Sequence, residues 1–373
     1  MSDGASARWE YCLLLREERL RDFWVEHLRR SQRAVLVILG RGFDPRIGLG
    51  LQTLLEAGGD GPRDVLGLDF REGPVSASLN HQELVTRNWA EVEAAVGSRG
   101  TLSVQALDFW SPEGRRISSQ SARDLFDSDE RFSQYTDVVV DISSMPRGVY
   151  FPLIARILYL LDHSPSRAVS RTNLHVLVAE DPGYDASIHE EGIDEKAEFM
   201  ASFGGGFDEE GTPTPKVWMP MLGEGKRTQF DRIQDRVKPD EICPVLPSPS
   251  RNPRRADDIV IEYQRPLFDE LHLDGRNFLY ASERNPFEVY RRLRGAVLRY
   301  GDVFRILGGC RVAISPLSSK LMSIGALLTA YELKQLDYRV GIAHVDSQGY
   351  RIEGTVPKAE LFGLWLTGEC DAN

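Results

Sequence analysis

The sequence predicts an α/β protein with two lobes, each a parallel sheet flanked by helices, and three observations predict it. Apolar runs of strand length alternate with stretches of helical spacing along the whole chain. This alternation occurs twice, and each half contains five candidate strands separated by candidate helices. The chain of 373 residues is 42% hydrophobic and 27% charged, which is the size of about two domains of ordinary globular composition. The predicted fold class is therefore two tandem Rossmann-like lobes with right-handed crossovers.

The candidate strands of the first half are apolar runs that end in polar loops. They are 34–39, 65–70, 102–109, 137–142 and 174–179. Helical spacing is found between them at 46–57, 79–97, 118–133 and 147–163, and a further helix is predicted at 16–30. Residues 1–182 are therefore predicted to form the first lobe with its N-terminal helix.

The second half repeats this pattern. Its candidate strands are 216–221, 241–246, 277–281, 311–315 and 338–345, and its candidate helices are 226–237, 255–271, 286–300 and 317–335. Residues 216–373 are predicted to form the second lobe. The segment 183–215 is predicted to be a linker, since Gly204–Gly206 and Pro213–Pro215 are typical of mobile connections, and a lid is the alternative.

Matching loops in the two halves indicate an internal duplication. The first strands end in ILGRGFDPR (38–46) and MLGEGKRTQFD (221–231). The fourth strands end in DISSMPR (141–147) and ISPLSSK (314–320), and each is followed by a long apolar helix. Because both matches occur in the same order and at nearly the same offset, we interpret the lobes as repeats.

Bulk properties exclude several classes of function. A net charge of −11 argues against an extended nucleic-acid surface. No run of about 18 apolar residues exists and the N-terminus lacks a secretory signal, so no membrane span and a cytoplasmic location are expected. The four cysteines form no CxxC pair and the seven histidines follow no metal spacing, so no metal site is predicted. His175 and His344 lie in apolar strands and are predicted to be hydrogen-bonded core histidines.

The loop 40–46 is the first candidate site, since ligands of doubly wound sheets bind at the carboxyl ends of strands. Gly40 and Gly42 permit close backbone approach, and the following helix start offers N–H groups to an anion. Arg41 and Arg46 are predicted to bind phosphate, with Asp44 in the same loop. The GxGxxG fingerprint is incomplete because position 45 is proline, and a tight strand–helix turn with surface arginines is the alternative.

The loop 141–147 is the second candidate site. Asp141 suits a ribose and Arg147 suits a phosphate. Ser143 and Ser144 are predicted either to bind the ligand or to cap the next helix, with Pro146 in its first turn.

The second half offers a counterpart in Ser318, Ser319 and Lys320, again hydroxyls and one cation at a helix start. A capped helix with a solvated lysine is the alternative. Glu283 and Arg284 follow the third strand of this half, and Trp110 in the first half is a candidate for base stacking.

Two fused Rossmann-like lobes with Ser318-Ser319-Lys320-Leu321-Met322 opening a helix resemble the CRISPR-associated Rossmann sensor domains (CARF) and their fused relatives, the SAVED domains. In that family a Thr-Lys-containing loop before a comparable helix helps bind a cyclic oligonucleotide in the cleft between two lobes. The match covers Ser318, Ser319, Lys320 and Met322, whereas Pro316-Leu317-Ser318 replaces the family's Gly-Gly-Thr lead-in. The resemblance implies a sensor in bacterial antiviral defence, with a separate protein as its effector.

Three functions follow from these features. The first is a ligand-binding or regulatory protein that senses a nucleotide-type phosphate ligand between its two lobes. The second is an enzyme acting on a nucleotide or sugar phosphate, with Asp141 or Glu283 as general base or metal ligand. The third is a non-catalytic scaffold subunit of a protein complex, since no complete catalytic motif is present and no catalytic residue or cofactor is assigned.

Overall fold

A computed structural model describes residues 7–10, 12–74, 76–165, 171–181, 184, 188–190, 192–209, 214–352 and 358–372. The chain divides into two compact units, and each unit combines segments that are distant in sequence. The first unit comprises Cys12–Gly192 and Ser347–Asn373, and the second comprises Met1–Tyr11 and Ile193–Asp346. Among the described helices, none combines the length and apolar character that a bilayer crossing requires.

The strands, in chain order, are as follows. They are β1 (Leu13–Arg16), β2 (Val35–Arg41), β3 (Arg63–Arg71), β4 (Leu102–Asp108), β5 (Asp137–Asp141), β6 (Asn173–Glu180), β7 (Ile188–Glu190), β8 (Glu198–Gly204), β9 (Lys216–Met221), β10 (Glu241–Ile242), β11 (Val245–Pro247), β12 (Leu279–Ala281), β13 (Arg311–Pro316), β14 (Arg339–His344), β15 (Tyr350–Ile352) and β16 (Glu360–Thr367).

The α-helices are named in the same way. They are α1 (Glu17–Arg29), α2 (Leu49–Glu56), α3 (Gln82–Val96), α4 (Ser118–Arg123), α5 (Arg147–Asp162), α6 (Arg227–Val237), α7 (Arg255–Glu262), α8 (Pro286–Val303) and α9 (Lys320–Gln335). A single 3₁₀ turn, Pro45–Gly48, leads into α2, and a π-helical turn, Arg265–Glu270, follows α7.

The sheet of the first unit has the order β1-β16-β6-β5-β2-β3-β4. The five strands from β2 to β6 run parallel, whereas β16 is antiparallel to β6 and β1 is antiparallel to β16. Numbered by their appearance in the unit, the parallel strands have the order 3-2-1-4-5, which is that of the Rossmann arrangement. The reversal of strand order falls between β2 and β5.

The main sheet of the second unit has the order β12-β11-β9-β13-β14-β8, with β10 paired to β9. Its strands are parallel except β8, which is antiparallel to β14. The parallel strands again have the order 3-2-1-4-5, with an antiparallel strand beside the last of them. Both units therefore share the strand order that a duplication requires.

The central elements form because their sequences are apolar on every face. Six of the seven residues of β2 are buried, as expected for a strand with parallel neighbours and helices on both sides. Helix α5 buries twelve of its sixteen residues, and α9 buries an unbroken run from Leu321 to Leu333. A helix that is apolar all round is stable only inside a core, so these two helices must be covered.

The predicted α/β class is confirmed, but the sheets are mixed and not purely parallel. The antiparallel strands β1, β8 and β16 were not predicted. Their partners are set by contacts between distant parts of the chain, which periodicity does not reveal.

The unit boundaries also differ from the predicted ranges 1–182, 183–215 and 216–373. The last strand, β16, lies within the first sheet because its apolar run is buried between β1 and β6. The predicted linker contains β7 and β8, each paired in a sheet; Gly204 ends β8, and Gly205 and Gly206 begin the turn after it. Pro213 lies outside the described residues.

Candidate functional site

The loops after β2 and β5 meet at the carboxyl edge of the first sheet, where the strand order reverses. Leu39 lies beside Asp141 in the β2–β5 register, so the two chains leave the sheet next to each other. The Ser144 hydroxyl donates a hydrogen bond of 3.0 Å to the carbonyl oxygen of Gly40. Two loops predicted separately from the sequence are thereby joined. We call this place the first-unit crevice.

Gly40 is required by the close packing of this crevice. A Cβ atom at position 40 would lie 2.8 Å from the ring of Phe70 and 3.0 Å from the Ser144 hydroxyl, so a side chain would displace one of them. The Asn88 amide donates 3.2 Å to the carbonyl oxygen of Gly42 and fixes the tip of the loop. The loop is therefore held at both glycines.

Asp44 and Arg46 are bound to each other and not exposed to a ligand. They are 6% and 2% exposed, and Nη2 of Arg46 lies 2.7 Å from Oδ2 of Asp44. The Asp44 carboxylate also accepts the backbone N–H of Arg46 at 3.0 Å, so it caps the 3₁₀ turn. Arg46 further donates to the carbonyl oxygen of Ala179 at 3.3 Å and lies over the Tyr184 ring. A carboxylate thus occupies the helix start at which phosphate was predicted, and Arg46 serves as its counter-ion.

Asp141 and Ser143 are likewise buried, at 1% and 0% exposure. Oδ1 of Asp141 accepts the backbone N–H of Ser143 at 2.9 Å, and the Ser143 hydroxyl accepts the N–H of Ala179 at 2.9 Å. Gly50 of α2 approaches so closely that a Cβ there would lie 2.4 Å from Oδ2 of Asp141. These contacts tie β5, β6 and α2 together and leave no room for a ribose at Asp141.

The start of α5 is the helix N-terminus that opens at the first-unit crevice. Its N-cap residue is Pro146, which provides no side-chain capping hydrogen bond, and Arg147 is the first helical residue and half-buried. The prediction that Ser143 or Ser144 caps this helix is wrong, because Ser143 bonds β6 and Ser144 bonds Gly40. The partial positive charge of the helix start and the Arg147 guanidinium favour an anion here.

Three further predicted residues open α9 in the second unit. Ser319 is the N-cap of α9, and its hydroxyl accepts the N–H of Met322 at 3.3 Å. Ser318 is buried with its hydroxyl 3.3 Å from the Met322 sulfur, and Lys320 is the first, half-buried residue of the helix. The capping alternative is thus observed for Ser319.

Glu283 is part of an ion-pair network that joins loops of the second unit. It is 7% exposed, with Oε1 2.5 Å from Nη1 of Arg255, and its Oε2 accepts the N–H of Arg251 at 2.9 Å. Arg255 also binds Glu224 at 2.7 Å. These bonds engage both carboxylate oxygens of Glu283 in a buried network, which does not suit a general base. Arg284, next along the chain, is half-buried.

The predicted residues therefore fall into two sets, one in each unit. The first-unit set comprises Gly40, Arg41, Gly42, Asp44, Arg46, Asp141, Ser143, Ser144 and Arg147. The second-unit set comprises Glu283, Arg284, Ser318, Ser319 and Lys320.

Arg41 has a neighbour that the sequence did not suggest. Its Nη1 lies 3.1 Å from Oδ1 of Asp69, and its guanidinium carbon lies 5.7 Å from the centre of the Trp89 ring. Both members of this ion pair are about one-third exposed. Trp110, by contrast, is engaged, because its indole N–H donates 2.8 Å to the Glu72 carbonyl oxygen and the Arg116 guanidinium lies over its ring.

A buried polar cluster lies at the opposite, amino end of β5. Nε2 of His27 and Nε2 of His175 lie 2.7 and 3.0 Å from Oδ1 of Asp137, and these three side chains have the spacing of metal ligands. However, Arg33 lies 3.3 Å from the other carboxylate oxygen, and Asn173 donates to Oδ1 at 3.0 Å. A positive charge and an additional donor at the same carboxylate favour a hydrogen-bonded network over a cation site.

The cluster shifts the pKa values of its members. Burial by itself would raise the pKa of Asp137, but the hydrogen bonds from His175 and His27 hold it well below its usual range. Burial lowers the pKa of His175, and the bond to Asp137 opposes this only in part. The prediction that His175 is a hydrogen-bonded core histidine is confirmed. The role of Asp137 as the partner of these histidines was not predicted. Its position at the start of an apolar strand was the signal that could have indicated it.

Comparisons with known proteins give no family. No family model and no curated protein matches the chain. The chain is similar to a functionally unknown protein from Pseudomonas aeruginosa, with 13% identity over 84% of this chain and 92% of that one and a TM-score of 0.20. It is similar to a putative uncharacterized protein from Mycobacterium paratuberculosis (10% identity, 87% and 89% coverage, TM-score 0.22). It is also similar to the cytoplasmic domain of a prokaryotic cation chloride cotransporter (11% identity, 85% and 96% coverage, TM-score 0.21). At these TM-scores the likeness identifies neither a fold nor a function.

Proposed function

We propose that the protein is a ligand-binding or regulatory protein that binds a nucleotide-type phosphate ligand at the first-unit crevice. The observation that carries this proposal is the hydrogen bond of 3.0 Å from the Ser144 hydroxyl to the Gly40 carbonyl oxygen. It holds the glycine loop beside the start of α5, at the reversal of strand order where doubly wound sheets bind their ligands.

The phosphate is assigned to the start of α5. This helix is sixteen residues long, its N-cap is a proline, and Arg147 stands in its first turn. The start of the Pro45–Gly48 turn is a poorer anion site, because the Asp44 carboxylate already accepts its N–H and is paired with Arg46. Phosphate is therefore expected to lie nearer Arg147 and Ser144 than Arg46.

Binding is favoured over catalysis by the state of the carboxylates proposed as bases. Asp141 and Glu283 are both buried and bonded, and neither is oriented as an exposed proton acceptor. The resemblance of the Ser318–Met322 segment to CARF and SAVED domains supports a sensor role in antiviral defence, with a separate effector protein as partner.

Thermal unfolding with phosphate compounds tests the proposal. Nucleoside monophosphates, cyclic oligonucleotides and sugar phosphates are added in turn, and a ligand at 100 times its Kd should stabilise the protein by about 2.7 kcal/mol. Whichever compound binds, Arg147→Ala is expected to lower the affinity for it by about tenfold or more, since a charge-assisted bond to phosphate is lost. Arg123→Ala is the matched control, because Arg123 ends α4 in the same unit and pairs only with its neighbour Asp124 among the contacts described.

The outcomes separate the three functions. If Arg147→Ala and Arg123→Ala bind the ligand with equal affinity, the start of α5 is not part of the binding site. A compound that binds and is converted to product would support the enzyme. Absence of any stabilisation by these compounds would support the scaffold.

A further inference from the structure

Asp69 lies at the carboxyl end of β3, directly beside the strand that enters the glycine loop. It is the register partner of Arg41, and the side chain of Asp69 is 35% exposed. Asp44 and Asp141 are buried at the same edge of the sheet. Asp69 is therefore a carboxylate that a ligand in the first-unit crevice can reach.

Arg41 orients this carboxylate without saturating it. The described bond is a single one, from Nη1 of Arg41 to Oδ1 of Asp69 at 3.1 Å. An ionised carboxylate accepts about four hydrogen bonds. Acceptor positions thus remain for a pair of hydroxyl groups, and the Arg41 guanidinium beside Trp89 holds the carboxylate in place.

The position of Asp69 in the strand order suggests which hydroxyls it would accept. In sheets of this order the ligand lies across the crevice where the strand order reverses, and an acidic residue after the second strand binds ribose hydroxyls. In the first unit the second parallel strand is β3. Because Asp141 is enclosed by Ser143 and Gly50, Asp69 replaces it as the candidate ribose partner.

We propose that Asp69 accepts hydrogen bonds from the hydroxyls of a ribose, so that the ligand of the first-unit crevice is a ribonucleotide. This inference rests on the proposed function and specifies its ligand class. In the second unit the equivalent strand, β11, ends at Pro247 and is followed by Ser248, with no carboxylate at this position. Ribose recognition is therefore assigned to the first unit.

Calorimetric titration with the four ribonucleoside 5′-monophosphates and their 2′,3′-dideoxy counterparts tests this inference. The wild-type protein should bind at least one ribonucleotide about tenfold tighter than its dideoxy counterpart, because hydrogen bonds to a charged acceptor are lost. Asp69→Asn should reduce this ratio to about twofold or less and leave the dideoxy affinity unchanged. The fold should survive, since a partly exposed ion pair adds little stability.

Asp108→Asn is the matched control. Asp108 ends the next strand, β4, and is paired with Arg71 at 3.6 Å with both side chains exposed. This variant should retain the wild-type ratio. Equal binding of ribo and dideoxy forms by the wild-type protein, or an equal loss of both in Asp69→Asn, would overturn the ribose assignment and leave phosphate binding intact. If none of these nucleotides and no inorganic phosphate binds, the proposed function itself fails and the ribose assignment fails with it.

Discussion

At the scale of single residues, the cluster around Asp137 shows how the fold accommodates a buried charge. The carboxylate is 0% exposed and receives bonds from two histidines, an arginine and an asparagine. His175, in contrast, is held neutral by burial, which lowers its pKa. Unfolding releases both groups into water, so the stability of the first unit depends on pH.

Stability is expected to fall as the pH decreases below about 6.5, the ordinary pKa of histidine. Since His175 has a lower pKa in the folded state, the unfolded chain binds more protons, and unfolding becomes easier by at most about 1.4 kcal/mol per pH unit for this group. His175→Gln keeps a donor near Asp137 and removes the titration. Denaturant unfolding at pH 7.5 and 5.5 should show a smaller pH dependence in this variant. An unchanged pH dependence would contradict the role of His175.

Asp137 adds to this effect in a lower range. Its folded pKa is depressed, so its contribution is present above about pH 3.9 and is lost as the pH falls further. The two groups therefore act in the same direction in separate pH windows.

The availability of each arginine was harder to predict than its position. Arg46 and Arg147 both stand at helix starts after parallel strands, and the sequence gives them equal weight. In the structure Asp44, two residues before Arg46, forms a buried ion pair with it. The Asp-Pro pair at 44–45 is a known signal for a helix start capped by aspartate, so this part was open to prediction. The contact between Arg41 and Asp69 could not be predicted, because it depends on the register of two strands.

At the scale of elements, the N-terminal segment 7–10 behaves as part of the second unit. Trp9 is 2% exposed, with its ring 5.4 Å from that of Tyr290 on α8 and 6.2 Å from that of Tyr331 on α9. The Arg8 guanidinium lies over both Trp9 and Tyr331. One tryptophan thus anchors the segment to two helices that are distant in sequence.

Trp9→Ala is expected to destabilise the second unit by about 3 kcal/mol, the lower end of the range for a buried aromatic residue, because its contacts with two helices are lost. Glu10→Ala, at the exposed neighbouring residue, should have little effect. Denaturant unfolding of both variants measures the difference. Equal stability of the two would show that the Trp9 contacts do not matter.

The elements themselves were largely predictable, and their partners were not. All ten predicted strands coincide with strands of the two main sheets. The central ones are buried parallel strands with continuous apolar runs, whereas the edge strands β4 and β12 are partly exposed. Strands β1 and β8 were missed since they are short or contain small residues. The apolar run of β16 was visible in the sequence, but its place beside β6 follows from a pairing across the entire second unit.

At the scale of the whole molecule, the chain passes from one unit to the other three times, after residues 11, 192 and 346. Neither unit is therefore a continuous stretch of sequence. The predicted division into 1–182 and 216–373 would place β16 in the wrong fragment and leave β6 with an open edge.

A protein ending at residue 346 is expected to lose the first unit and keep the second. Removal of β16 breaks the pairs with both β1 and β6, whereas the sheet of the second unit remains complete. Hydrogen exchange followed by peptide mapping should show fast exchange in β5 and β6 and retained protection in β9 and β13. Protection of β6 equal to that in the full chain would contradict this.

The position of β16 also sets an order for folding during synthesis. Domains generally fold as they emerge from the ribosome, beginning at the N-terminus. Here the first unit, although encoded mostly by the first half of the chain, lacks a strand of its sheet until the final segment has been made. The second unit, complete at residue 346, can close earlier. Although most of the first unit precedes the second unit in sequence, its sheet is completed later, and until then β6 has an unpaired edge that a chaperone would need to shield.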